Sequence, residues 1–272
     1  MQTIINRGYL RENYRLFHST DHRDMDFQTH SHDFHKVVLC LSGQVTYIME
    51  GTTYYLRAWD VLLVPEHQIH QSIFSSAEVY ERIILWINDS FLRKFGEPAL
   101  TELFSSAVQR HFGLFRPDLR QRAILIERLN ALEHAQAAEY PGHALMADTY
   151  LLQFLLELGG MLRGADGDAS AARANPRFQQ MLDYINQNLT DDLSINALAD
   201  RFFISPSHLM HAFKQHTGCT IHRYVTEKRL IRAAEIIAAG ESIAHAAEQS
   251  GFSDYTTFLK AYRRFYGRSP RQ

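Results

Sequence analysis

The chain carries one pattern twice near its C-terminal end, and that repeat restricts the fold more than any other feature. The first copy runs Ser194-Ile195-Asn196-Ala197-Leu198-Ala199, then Phe203-Ile204-Ser205-Pro206, Leu209, Phe213-Lys214 and Gly218. The second runs Ser242-Ile243-Ala244-His245-Ala246-Ala247, then Gly251-Phe252-Ser253-Asp254, Phe258, Tyr262-Arg263 and Gly267. Ser194 matches Ser242 and Ile204 matches Phe252 at an offset of 48, whereas Leu209, Phe213 and Gly218 match Phe258, Tyr262 and Gly267 at 49. The one-residue slip falls in a turn, where insertions are best tolerated. Each copy reads as two capped helices joined by a turn, the spacing of a helix-turn-helix over 194–216 and again over 242–265.

A helix-turn-helix lays its second helix in the major groove, with the N-terminal half of that helix at the base edges. Leu209 and Phe213, and in the second copy Phe258 and Tyr262, would hold this helix against its partner. The outward positions are then Ser207, His208, His211, Lys214 and Gln215 after the cap Ser205, and Tyr255, Thr256, Lys260, Arg263 and Arg264 in the second copy. Polar side chains here reach base edges. The late cations Lys214, Arg263 and Arg264 suit phosphates, which set affinity rather than sequence. The first copy is more neutral and is expected to carry more of the sequence reading, the second more of the backbone grip. Between them, Ile221 to Ala239 reads as one long helix, with Gly240 past its end. Such a spacer would place the two reading helices in successive major-groove turns, about 34 Å apart.

Charge agrees in sign. From Ser205 onward there are 10 Lys and Arg against 5 Asp and Glu, in a chain of net charge −2. Only Cys40 and Cys219 occur among 272 residues, and neither belongs to a C-x-x-C. That argues against a disulfide framework and a zinc finger and suits a reducing cytoplasm. No signal peptide and no membrane-spanning run of about 18 apolar residues is read.

Residues 1 to about 29 mix aromatics with charge, and periodicity leaves open whether they form an arm or an edge strand. From Phe34 the chain reads as strand and turn: Phe34 to Leu41, Gln44 to Met49, Thr52 to Arg57, Val61 to Val64, Ser72 to Phe74 and Val79 to Ile87. Short strands at close spacing indicate an antiparallel sandwich or barrel rather than βαβ units. After Asn88 the pattern turns helical: Asp89-Ser90 caps a short helix, Pro98 opens another, and Asp118 to Ala138 and His143 to Leu162 have apolar residues near helical spacing. Arg163 to Asn175 is small, polar and aperiodic, a flexible linker. Asn175-Pro176 opens an all-α region of about seven helices. The expected fold is α+β in two domains. A β domain over 1–88 and a helical appendage over 89–162 precede a linker over 163–175 and a DNA-binding domain over 176–272.

From Arg177 to Gln272 the chain resembles the DNA-binding domain of the AraC/XylS family of bacterial transcription regulators. The residues that carry this are Leu198-Ala199, Ser205-Pro206-Ser207-His208-Leu209, Phe213-Lys214, Gly218, Arg229-Leu230, Gly251-Phe252-Ser253-Asp254, Gly267 and Ser269-Pro270. Tyr262 stands where Phe is usual. The front half, with His30-Ser31-His32, Ser42-Gly43, Trp59-Asp60, Pro65 and His70, resembles a cupin. Cupin enzymes hold a metal through such histidines and a Glu, but that Glu position is Lys36 here, a cation that opposes a divalent metal. The resemblance implies a cytoplasmic, ligand-responsive activator with no enzymatic activity, metal or cofactor. Its partners would be double-stranded promoter DNA, a small effector such as a sugar or related metabolite, a second copy through the helical pair, and RNA polymerase. The effector pocket is expected from His30, His32, Lys36, Arg82 and Trp86, because alternation in Val79 to Ile87 sets Tyr80, Arg82, Ile84 and Trp86 on one face. Lys36 and Arg82 would equally suit an acidic ligand. Two alternatives stand beside this reading: a metal-dependent cupin enzyme fused to a DNA-binding tail, and a ligand-independent regulator with a filled barrel.

Overall fold

The computed structural model describes residues 10–21, 25–26, 28–74, 79–163 and 172–270. Residues 1–9 and most of the expected linker, 164–171, lie outside the described residues.

The N-terminal part is built from antiparallel strands: β1 (Tyr14–Asp21), β2 (Met25–Asp26), β3 (His35–Ser42), β4 (Val45–Met49), β5 (Thr52–Leu56), β6 (Val61–Val64), β7 (His70–Phe74) and β8 (Tyr80–Ile87). They form two sheets, β1-β8-β3-β6 and β5-β4-β7-β2. Strand alternation makes each sheet two-faced. Val38, Cys40, Tyr47, Tyr54, Leu62, Val64 and Tyr80 fill the space between the sheets. From β3, β6 and β8 the other face, with Val37, Leu39, Leu63, Ile83, Leu85 and Ile87, is covered by helices α1 (Asp89–Arg93), α2 (Pro98–Gln109), α3 (Leu119–Ala137) and α4 (His143–Arg163). A capping box between Asp118 and Gln121 starts α3, and Pro98 occupies the first turn of α2. By length and mean hydropathy α4 could cross a membrane, which the sequence reading did not find. Its Ala147, Leu151, Phe154, Leu155 and Leu158 are buried in the protein core.

The C-terminal part holds α5 (Pro176–Gln187), α6 (Ile195–Phe202), α7 (Pro206–Thr217), α8 (Ile221–Ala238), α9 (Ile243–Gln249) and α10 (Tyr255–Tyr266). Ser194, Ser205, Ser242 and Asp254 each cap a helix by accepting from a backbone N–H three residues on. The helices form two cores. Phe178, Leu182, Leu198, Leu209, Phe213 and Tyr224 make the first, and Leu230, Ala233, Ala246, Phe258 and Tyr262 the second. Helix α8 supplies both, so one rigid element is the floor of two modules.

Of the two alternatives left open for the first residues, 14–21 take the edge strand, β1, paired along its length with β8. Several other expectations need correction. The cap of α1 is Asn88 rather than Asp89 or Ser90, because its side chain accepts from Ser90 N–H. Among the described residues the C-terminal part has six helices, not about seven; the stretch before Ser194 is a turn in which Asp192 accepts from Ser194 N–H. Ala172–Ala174, expected in the linker, forms β10 on the edge of β5, and Leu114–Phe115, expected in the helical appendage, forms β9 beside β6. Both cover sheet edges whose backbone groups would otherwise be unpaired.

The slip between the repeats lies in their turns. Phe203 turns the first unit at φ +54° while 90 % exposed. Its counterpart Gly251, at φ +88°, lies against the backbone just past the end of α5, and a Cβ there would collide with the Leu189 carbonyl oxygen. Gly251→Ala is therefore expected to destabilise the second module by about 2 kcal/mol or more, through forbidden φ and a backbone clash together. Chemical denaturation followed by circular dichroism measures it; an unchanged midpoint would refute the packing described.

Candidate nucleic-acid interface and effector pocket

In α7, Leu209 and Phe213 are buried, while Ser205, Ser207, His208, His211, Lys214 and Gln215 are all exposed. In α10, Phe258, Tyr262 and Tyr266 are buried, while Tyr255, Thr256, Lys260, Arg263 and Arg264 are exposed. Each unit thus buries a four-residue-spaced stripe and turns its polar and cationic side chains to solvent. Gly218 and Gly267 close the two helices in the left-handed conformation.

The expected pocket residues divide. His30, His32, Lys36 and Trp86 come together with His70 at one end of the barrel. The His30 and His70 rings are 4.3 Å apart, His32 and His70 4.8 Å, and Lys36 Nζ lies 3.3 Å from His70 Nε2. Trp86 stands opposite Lys36 in the β3–β8 register and packs on Phe34 and Phe17. Arg82 lies two strand repeats further along, over the Tyr80 ring and 2.6 Å from Asp21. The inward and outward faces of β8 follow the alternation expected.

Each of the three histidines sets its Nδ1 on a backbone carbonyl: His30 on Gln28, His32 on Phe34 and His70 on Gln68. Nδ1 therefore carries the proton and Nε2 a lone pair. Burial, followed by the charge of Lys36, pushes His30 down to about 4 and holds His32 and His70 well below the usual range. The histidines are neutral. Burial, then Arg82, lowers Lys36 to about 7. Two polar atoms in this buried group, the acceptor His32 Nε2 and the donor Trp86 Nε1, have no hydrogen-bond partner among the described residues.

His35, next to Lys36 in β3, faces the helices and stacks on Phe104. It lies with Glu66 and Asp89 in a group whose possible ligand atoms are within 4.8 Å of one another. Here Nδ1 accepts from Glu66 N–H, so Nε2 bears the proton and faces Asp89 at 3.3 Å. A metal on Nε2 would require that proton to move to Nδ1, against a backbone N–H. The tautomer makes this a hydrogen-bonded group rather than a ligand set.

The contact between the two halves had no local signal in the sequence. Glu50, at the tip of the β4–β5 hairpin, accepts from Ile69 N–H at 2.8 Å, pairs with Lys228 at 2.7 Å and accepts from Tyr224 Oη. Beside it Gly51 lies against Phe178 and Leu182 of α5, where a Cβ would not fit. Ile69 is buried in the first helical core. Thr29 Oγ1 donates to the Gly218 carbonyl at 2.9 Å, Arg223 donates to the Thr29 carbonyl at 2.6 Å, and Lys228 donates to the His67 carbonyl at 3.1 Å. A cleft of about 1810 Å³ opens next to this contact. His30, His32 and Trp86 line one side, and Lys260, Arg264 and Arg268 the other.

Two capped helix-turn-helix units on a shared helix, joined to an antiparallel barrel with a buried polar end, define a DNA-binding transcription regulator with a ligand-binding domain. The model of the AraC-like ligand binding domain matches residues 14–155, and that of a helix-turn-helix domain matches 198–272. The chain belongs to the AraC family of regulators. It is 25 % identical over 250 residues to the HTH-type transcriptional activator RhaS of Escherichia fergusonii, covering 90 % of this chain and 87 % of that one. RhaS of an Enterobacter species is 25 % identical over 251 residues, with the same coverage. Among solved structures, ToxT from Vibrio cholerae aligns over 95 % of this chain and 97 % of its own, with 14 % identity and a TM-score of 0.38.

The Glu50 cluster is testable by itself. Glu50 and Lys228 side chains are only 10 % and 11 % exposed. Glu50→Gln should cost about 3 kcal/mol, because Lys228 is left buried beside a neutral group. Glu50→Gln combined with Lys228→Met should recover part of that, with a coupling of at least about 1 kcal/mol in a denaturation double-mutant cycle. Additive effects would remove the pair from the account.

Proposed function

We propose that this regulator is a dimeric activator working in the cytoplasm, and that a polar metabolite, a sugar or a related compound, controls it from the polar end of the barrel. The observation that carries the reading is the double-sided segment at residues 28–32 and 67–71. One side presents His30 and His32, with His70 behind them, to the cleft, and the other bonds to α7 and α8 through Thr29 and His67 and packs Ile69 into the first helical core. His30 and His70 are themselves bridged backbone to backbone. A ligand that satisfies His32 Nε2 and Trp86 Nε1 acts on the same few residues that hold α8. Only a ligand that prefers one arrangement of this contact switches anything.

The DNA contacts proposed are the exposed residues of α7 and α10, with bases read mainly from α7 and phosphates gripped mainly from α10. Lys260 and Arg264 line the cleft onto which the pocket faces, so the second unit is the one whose access to DNA an effector would alter first. The outer surface of α3 and α4 exposes Leu119, Leu145, Met146 and Leu156. A second copy would cover this apolar face, and RNA polymerase is the further partner of an activator. The RhaS relatives are named as activators.

His211→Ala and Lys260→Ala should each weaken specific operator binding by about 1–3 kcal/mol where they read a base. Arg263→Ala and Arg264→Ala should weaken binding to all sequences and reduce the salt slope by about one each. Titration of labelled operator at several salt concentrations separates the two classes. Unchanged affinity and selectivity in both His211→Ala and Lys260→Ala would place the recognition surface elsewhere.

A further inference from the structure

We infer that the effector is a small monocarboxylate, whose carboxylate pairs with Lys36 at the polar end of the barrel. This rests on the effector reading above and assigns its ligand a charge. Lys36 is buried on the inward face of β3, between Val64 and Trp86 in register. Its Nζ meets His70 Nε2 at 3.3 Å, and among the described residues no carboxylate pairs with it. The groups around it do not supply a counter-charge. His30 and His32 precede β3 and His70 begins β7, and all three are neutral. From β4 and β8, Tyr47 and Tyr80 are uncharged phenols held above their ordinary range by burial. Arg82 on β8 is a second cation, and Asp21 on β1 is already paired with it. Among the described residues, Lys36 when protonated and the buried Arg82 therefore face one partly exposed carboxylate, Asp21.

A buried ammonium without an anion is among the least favourable groups a protein can hold, and burial beside Arg82 lowers this one accordingly. A ligand of one negative charge balances the site. A neutral ligand leaves the excess, and a dianion reverses it. His30, His32 and Trp86 line the cleft between the two halves, and Lys36 is buried behind them. Trp86 Nε1, buried and without a partner among the described residues, adds a donor from the strand position opposite Lys36.

The test uses the full chain with Trp59→Phe, which leaves Trp86 as its single tryptophan. The probe is acetate, set against its neutral isostere acetamide and against inorganic phosphate, at constant ionic strength. Acetate should shift Trp86 emission saturably and bind about ten-fold or more tighter than either competitor. Lys36→Met, of similar length and without charge, should lose about ten-fold or more of the acetate affinity while melting as a folded protein. Lys36→Gln gives the same reading if the Met variant does not fold. Equal binding of acetate and acetamide, tighter binding of phosphate, no saturable response to acetate, or undiminished binding by the Lys36 variants each overturns the inference. A neutral hexose that saturates the Trp86 signal where acetate does not removes the carboxylate and leaves the effector reading standing. Saturating acetate that leaves operator affinity unchanged supports the carboxylate site and removes the effector reading instead.

Discussion

The Glu50 carboxylate is buried between the two halves of the molecule and answers a donor from each side: the Ile69 backbone of the barrel, and Lys228 and Tyr224 of α8. A buried carboxylate holds its place only while such donors surround it, because losing one exposes it to the full cost of desolvation. The position of α8 relative to the β4–β5 hairpin is therefore strongly specified. Because α8 contributes to both helical cores, everything that follows the barrel in the chain is placed by this contact.

The polar end of the barrel follows a different logic. Three imidazoles give their Nδ1 protons to backbone carbonyls and keep their Nε2 lone pairs, and burial prevents them from charging. One lone pair is used by Lys36 and another has no partner among the described residues. A site built only for stability would have filled this space with apolar side chains, as the middle of the same barrel does with Val38, Val64 and Leu62. Polar groups kept under these costs are characteristic of a binding site, and they stand on the segment that touches α7 and α8.

Much of this was legible in the residues. The doubled capping pattern located the C-terminal helices and gave the outward side chains of α7 and α10, because helical period and cap chemistry are local properties. Strand alternation likewise set Tyr80, Arg82, Ile84 and Trp86 on one face of β8. What stayed hidden was long-range. Glu50 and Lys228 are 178 positions apart in the chain, and neither carries a local mark of its partner. β9 and β10 are too short for periodicity and exist because the edges of β6 and β5 are there to pair with them. β1 was obscured because it is an edge strand whose exposed positions, Arg15, His18 and Thr20, do not alternate strictly.

The two recognition units differ in what fixes them. The first packs against the barrel: α7 and α5 meet the β4–β5 hairpin, Gly218 receives Thr29, and Ile69 enters its core. The second is held by the far half of α8, by Arg229 bonding the Leu189 carbonyl and by the close approach of Gly251 to that same oxygen. A helix of 18 residues is about 27 Å long, so a small rotation at the Tyr224–Lys228 end becomes a displacement of several ångströms at α10. Sequence reading assigned to the second unit the cations that grip phosphate. Phosphate contact depends on the spacing of both units along the groove, whereas base contact by α7 is fixed by α7 alone. With the proposed contacts, this arrangement would put the backbone grip at the long end of the lever and the pocket at the short end. Effector control would then act on affinity while the sequence read by the first unit stays the same.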